Sequence, residues 1–266
     1  MKKHHYLRRR GIYLLPNLLT TMGLFFGFYA IVAALTGYFN KASMAIFIGM
    51  IFDGLDGRIA RLTNTTSSFG TEYDSLSDMV TFGIAPALFA YSWGLHSLGK
   101  IGWLVAFIYA AATALRLARF NTQIAQTSGY YFRGLPSPAA AAVIAGMIWT
   151  ADISLGVIGK QVSIIVAVII ALMAALMVSS VPYYSFKKID LKGRVPFVMI
   201  LLFILLCAAI TINPPLVLFV GFLLFTISGP VTYLFHLGRK KKGMRHYLFK
   251  KSNNKHLKEK QASIPD

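Results

Sequence analysis

The sequence predicts an all-α integral membrane protein: a polytopic bundle of about eight transmembrane helices with both termini cytoplasmic. Three observations predict it. Hydrophobic residues make up 56% of the 266-residue chain, above the roughly 45–50% usual for soluble domains. The apolar residues gather into runs long enough to cross a hydrocarbon core about 30 Å thick, which takes roughly 20 residues of helix. The charges divide between the ends of these runs in a way that sets one orientation.

The spans fall near 12–36, 42–62, 70–94, 100–120, 136–152, 160–180, 196–212 and 215–237. The first follows a basic stretch, Arg8–Arg10, is long and lacks a small-residue cleavage site. It reads as a membrane helix rather than a removed signal peptide. An even number of spans puts both termini on one side. With that side cytoplasmic, Lys41, Lys100 and Lys160 are the outer-loop cations, and the other 24 of 27 Lys and Arg lie at the cytoplasmic face. This is a strong positive-inside bias. Residues 1–237 therefore form one membrane domain, and 238–266 a basic cytoplasmic tail expected to be flexible or to lie on the membrane surface.

A net charge of +18 would suit nucleic acid, but its placement beside hydrophobic segments suits anionic lipid instead. No nucleic-acid partner is expected. Cys207 is the only cysteine, so no intrachain disulfide is available. Tyr183 and Tyr184, beside Pro182, read as part of an interfacial aromatic belt.

Against this basic background, five of the nine acidic residues fall within 51–80: Asp53, Asp56, Glu72, Asp74 and Asp78. Asp53 and Asp56 are three apart, Asp74 and Asp78 four apart. Either spacing puts a pair on one helix face. The polar "RLTNTTSSFG" between the pairs contains a turn, so the two helices are antiparallel neighbours whose carboxylates converge. Four clustered carboxylates repel one another and resist dehydration. Pairing with Arg58, Arg61, Arg116 and Arg119 accounts for one or two such acids, not for four at helical spacing. Divalent cations relieve both costs, and an all-oxygen ligand set favours Mg²⁺, Mn²⁺ or Ca²⁺ over zinc. Two ions bridged by shared carboxylates would suit displacement at phosphorus. Glu72 is left outside this site. No Ser/His/Asp or Cys/His set for covalent catalysis is evident.

The window reads Asp53-x-x-Asp56-Gly57-x-x-Ala60-Arg61, then eight residues, then Gly70-x-x-x-Asp74-x-x-x-Asp78. It resembles, position for position, the signature of the CDP-alcohol phosphatidyltransferase family. The resemblance implies transfer of a phosphate-bearing group from a CDP-linked lipid or alcohol to a hydroxyl acceptor, with release of CMP. It implies a divalent metal site, Mg²⁺ or Mn²⁺ and two ions, framed by Asp53, Asp56, Asp74 and Asp78. Asp78 resembles the general base. Gly57, Ala60, Arg61 and Gly70 match positions lining the nucleotide and diphosphate. The family commonly forms homodimers.

"YLLPNLLTT" (13–21) resembles a Pro-Asn-x-x-Thr of the same family and adds Asn17 and Thr20 to the nucleotide side. The other reading of this stretch is a helix start, with Pro16 near the first turn. "RLARFN" (116–121) and "GLPSPAAA" (134–141) resemble the membrane-integral phosphatidylserine synthase branch. That branch implies CDP-diacylglycerol and L-serine as substrates, and phosphatidylserine and CMP as products. The charge bias puts the site at the cytoplasmic face, and the inner membrane of a prokaryote is the expected location. A zwitterionic acceptor needs a cationic partner for its carboxylate; Arg116, Arg119 and Arg133 are candidates for that group or for a lipid phosphate. A sibling transferase acting on glycerol 3-phosphate or inositol, and more distantly a cation-coupled transporter, remain open.

Overall fold

The computed structural model describes residues 2–123, 131–184 and 197–234. Helix α1 (Lys2–Leu35) is followed by α2 (Phe39–Leu62) and α3 (Ser68–Asp78). A π-helical turn, Met79–Ile84, joins α3 to α4 (Ala85–Trp93) in one rod. Then come α5 (Lys100–Gln123), α6 (Ser137–Trp149), α7 (Ser163–Val178) and α8 (Phe197–Ile212), and finally α9 (Pro214–Leu234). Each expected span thus coincides with a helical rod. Five segments are long and apolar enough to cross a membrane: Leu14–Leu35, Lys100–Thr122, Ser137–Ser154, Gly159–Val178 and Pro214–Leu234. The other three expected spans are helical but weaker by this measure. α2 and the α3–α4 rod carry the acids, and α8 has only 16 residues.

Three features depart from the sequence reading. α1 starts at Lys2, so Pro16 lies inside the helix rather than near its first turn. The all-α expectation misses a short antiparallel pair, β1 (Tyr131–Arg133) with β2 (Pro182–Tyr184), in which Phe132 faces Tyr183. And Tyr183 is no belt residue. It is fully buried, its hydroxyl donates to the Thr226 carbonyl at 3.1 Å, and its ring covers Gly229. Strand pairing and a glycine on α9 together turn the ring inward, which local sequence does not reveal. A Cβ at position 229 would overlap the Tyr183 ring. Gly229→Ala is therefore expected to cost about 1–3 kcal/mol of stability by overpacking, seen as a lower unfolding midpoint in detergent. The basic tail, with Lys187, Lys188, Lys192 and Arg194, lies outside the described residues.

Small residues bring the rods together. α6 is the central helix, with eleven of its thirteen residues buried, Ala139–Ala142 among them. On α1, Gly23 and Gly27 face the π turn. A Cβ on Gly27 would overlap Thr81, and one on Gly49 of α2 would come within 2.8 Å of the Thr81 methyl. Close approach over a small-xxx-small stripe is how membrane helices gain packing contact when apolar burial gives none. The π turn leaves the Phe82 carbonyl to the Tyr109 hydroxyl of α5, at 3.0 Å. Thr81 Oγ1 donates to the Gly23 carbonyl at 3.2 Å.

The outer surfaces are apolar. Ile164, Ile165, Val168 and Leu172 of α7 and Leu201, Leu202, Ile204 and Leu205 of α8 are exposed. Such continuous apolar faces suit lipid rather than water. At one end, Ser92 donates to the Ala34 carbonyl at 2.7 Å and Gly94 packs on Gly159. Lys41 and Lys100, at the starts of α2 and α5, and Lys160, ahead of α7, belong to this end. The acids occupy the opposite end.

Candidate active site

Three helix ends build the site. α2 delivers Asp53 and Asp56, then stops at a turn: Asn64 takes a left-handed φ of 53° and the Thr65 N–H donates to the Ala60 carbonyl at 3.0 Å. Asn is among the few side chains that tolerate this region, so "TNTT" ends the helix as the polar run suggested. The chain restarts at Ser67, whose Oγ accepts the Gly70 N–H at 3.0 Å as the cap of α3. α3 then runs back past α2 carrying Asp74 and Asp78.

Ligand oxygens of Asp53, Asp56 and Asp74 all lie within 4.8 Å of one another. Asp56 is buried at 4% exposure, and Asp53 and Asp74 are half-buried. The predicted convergence of the two pairs is therefore seen for three acids. Asp78 stands outside this tight group, one turn beyond Asp74, but within electrostatic reach of Asp53, Asp74 and Asp56. The α1 side closes the group. Thr20 Oγ1 donates to Asp56 Oδ2 at 2.5 Å, the length of a charge-assisted hydroxyl–carboxylate bond. Ser77 of α3 donates to the Thr20 carbonyl at 3.1 Å, tying α1, α2 and α3 together.

Beside the acids lies a cavity of about 180 Å³. Asn17, Thr20, Gly57, Ala60, Arg61 and Gly70 all line it, together with Asp56 and Asp74. These six are the positions expected on the nucleotide side. Gly70 packs closely: a Cβ there would sit 3.1 Å from Ser67 Oγ and 3.5 Å from Asn17 Oδ1. The Arg61 guanidinium lies over Gly57, 3.6 Å from where a Cβ would be. Arg61 is exposed at the rim and attracts Asp56 electrostatically.

The three candidate arginines separate. Arg116, half-buried on α5, is within electrostatic reach of Asp78 and Asp53, and its Nη1 donates to Ser137 Oγ at 2.6 Å. Arg119 turns to α7 and donates to the Val178 carbonyl at 3.3 Å, a cation at a helix C-terminus where the dipole favours it. Arg133 lies on β1, opposite Pro182; its side chain is outside the described set. Sequence reasoning missed the hydroxyls Thr65, Thr66, Ser67 and Thr71 on the cavity wall. It also missed Asn121, whose Nδ2 donates to Ser75 Oγ at 3.0 Å between Asp74 and Asp78. The run of hydroxyls in "TNTTSS" was a usable signal for the first set. Asn121 closes the "RLARFN" motif, but that stretch was read for its arginines.

The carboxylates fit a hard divalent cation. All donors are oxygens, three come from two rigid helices, and they lie close enough that an ion between them would offset their mutual repulsion. A cavity lined by hydroxyls, an arginine and two of these acids has the donors and the charge to hold a phosphorylated ligand together with a cation.

Comparison with known proteins agrees with this chemistry. Residues 13–178 match the family model of CDP-alcohol phosphatidyltransferase. The chain belongs to that family of phosphotransferases. Among its relatives is a Helicobacter pylori protein named CDP-diacylglycerol–serine O-phosphatidyltransferase, 37% identical over 84% of this chain and 92% of the relative. Proteins of the same name from Bacillus subtilis and Saccharomyces cerevisiae are 35% and 39% identical. They cover 65% and 54% of this chain, and 92% and 56% of their own lengths.

Proposed function

We propose that this chain transfers the phosphatidyl group of CDP-diacylglycerol to the hydroxyl of L-serine, forming phosphatidylserine and releasing CMP. The observation that carries the chemistry is the cavity in which Asn17, Thr20, Gly57, Ala60, Arg61 and Gly70 meet the acids. The acceptor rests on the serine transferases to which the chain is similar.

In this reading the CMP moiety lies along α1 and the α2–α3 turn, and the acyl chains stay in the bilayer. Asp53, Asp56 and Asp74, with Asp78 beside them, hold divalent metal, two ions of Mg²⁺ or Mn²⁺. Bound metal supplies charge neutralisation and Lewis-acid polarisation at the diphosphate. Asp78 takes the proton of the serine hydroxyl as its oxygen attacks the phosphatidyl phosphorus. The bond from that phosphorus to the CMP oxygen breaks, and Arg61 at the rim offsets the charge gathering on the leaving group. The proton rests on Asp78, and no covalent enzyme intermediate is needed. Arg116, the candidate arginine beside the acids, meets the serine carboxylate. Arg119 and Arg133 are assigned to the surrounding lipid phosphate.

The membrane orientation belongs to the same proposal. The acid end faces the cytoplasm of a prokaryotic inner membrane, both termini lie on that side, residues 1–237 form the membrane domain, and 238–266 is a basic tail against anionic lipid. The enzyme works as a homodimer.

Purified protein offered CDP-diacylglycerol with serine, glycerol 3-phosphate or inositol tests the acceptor. CMP release is expected with serine and at least tenfold less with the others. Release with glycerol 3-phosphate or inositol instead would assign a sibling reaction. Metal-dependent cation flux without CMP release would mean a transporter.

A further inference from the structure

We infer that Ser137 is a positioning residue that holds the Arg116 guanidinium toward Asp78. The inference rests on the proposed role of Arg116 at the acceptor. Ser137 is fully buried, and it opens α6 between Pro136 and Pro138. Its Oγ accepts Arg116 Nη1 at 2.6 Å.

Stability does not call for this arrangement. A helix N-terminus carries partial positive charge, so a cation held there is disfavoured. Burying a guanidinium costs more still unless an anion repays it. The acids whose charge offsets it are Asp78 and Asp53. A neutral side chain in place of Arg116 would avoid both costs, so the arginine's charge is accounted for by what it faces rather than by packing. Its fork has five N–H donors, and one bond to Ser137 leaves others for Asp78 or an anionic acceptor group.

The segment that carries Ser137 is itself anchored. The Gly134 N–H donates to the Val181 carbonyl at 2.8 Å, and the Leu135 N–H to the Leu176 carbonyl at 3.0 Å. Gly134 has a φ of 84° and lies against the Met177 and Ser179 carbonyls, where a Cβ would overlap the backbone. Two prolines with restricted φ flank the serine. "GLPSP" is thus a rigid bracket tied to the end of α7, with a hydroxyl aimed at Arg116.

The test is a double-mutant cycle on the full chain in detergent: Ser137→Ala, Arg116→Ala, the pair, and Ser137→Thr. Losing a hydrogen bond to a charged group corresponds to roughly 10–100-fold. Ser137→Ala is therefore expected to raise the serine KM about tenfold, leaving the CDP-diacylglycerol KM and the unfolding midpoint unchanged. Ser137→Thr, which keeps the oxygen, recovers most of it. Added to Arg116→Ala, the same change costs less than about twofold. Equal losses in the two backgrounds would overturn the inference. So would a fall in unfolding midpoint that accounts for the loss, or an unaltered serine KM. A wild-type chain that releases no CMP with serine would instead overturn the acceptor assignment, before any variant is made.

Discussion

Asp78→Asn is expected to reduce serine-dependent CMP release by roughly 10²–10⁴-fold, the usual contribution of a positioned general base, while the protein stays folded and still binds CMP. The amide keeps the size of the carboxyl group and loses its basicity. Asp78 suits the role because it sits apart from the tight group of Asp53, Asp56 and Asp74, yet shares their field and that of Arg116. It is not among the three acids that converge most tightly. Removing one of several like charges eases repulsion but weakens the compensation of half-buried Arg116, so the two effects oppose and the unfolding midpoint of the variant without metal should change little. That separates a catalytic loss from misfolding. Steady-state kinetics, calorimetric titration with CMP and a thermal melt read the three quantities. Near-normal turnover would remove Asp78 from the role of base.

Chelation is expected to abolish CMP release, and Mg²⁺ or Mn²⁺ to restore it. The more telling readout is stability. An ion that binds only the folded state at a hundred times its Kd stabilises it by about 2.7 kcal/mol, enough to raise the unfolding midpoint by several degrees. Asp74→Asn should remove most of that rise, because Asp74 is the one member of the three-acid group contributed by α3. Without it the three-acid group keeps only the two carboxylates of α2. A wild-type midpoint that does not respond to either metal would count against a cation at these acids, whatever the activity. A response that survives in Asp74→Asn would place the ion elsewhere.

Much of the site was legible because its parts lie close together in the chain. Asp53 to Asp78 are joined by one turn, and helical spacing suffices to put each pair on a face. Family resemblance then supplied Gly57, Ala60, Arg61 and Gly70, all of which line the cavity. Asn17 and Thr20 needed a contact between α1 and α2, separated by 36 residues in the Thr20–Asp56 bond. The motif suggested them, but only packing brings Thr20 against Asp56. The arginines show where such reading ends. Arg116 and Arg119 are three apart, which places them on one helix face, yet one guanidinium points to α6 near the acids and the other to the end of α7. Periodicity gives a direction for the Cα–Cβ bond and does not choose between partners several ångströms away.

What the sequence by itself determined is the set of apolar rods, the turn between the acid-bearing helices and the identity of the acids. These depend on hydrophobic run length, helical period and local turn chemistry, which act over a few residues. What only the tertiary structure decided is which hydroxyl meets which carboxylate, that Tyr183 is buried over Gly229, and that Ser137 holds Arg116. Those depend on close approach of helices far apart in the chain. That approach is governed by where a glycine or alanine lets two backbones meet, and no single helix records which partner will arrive.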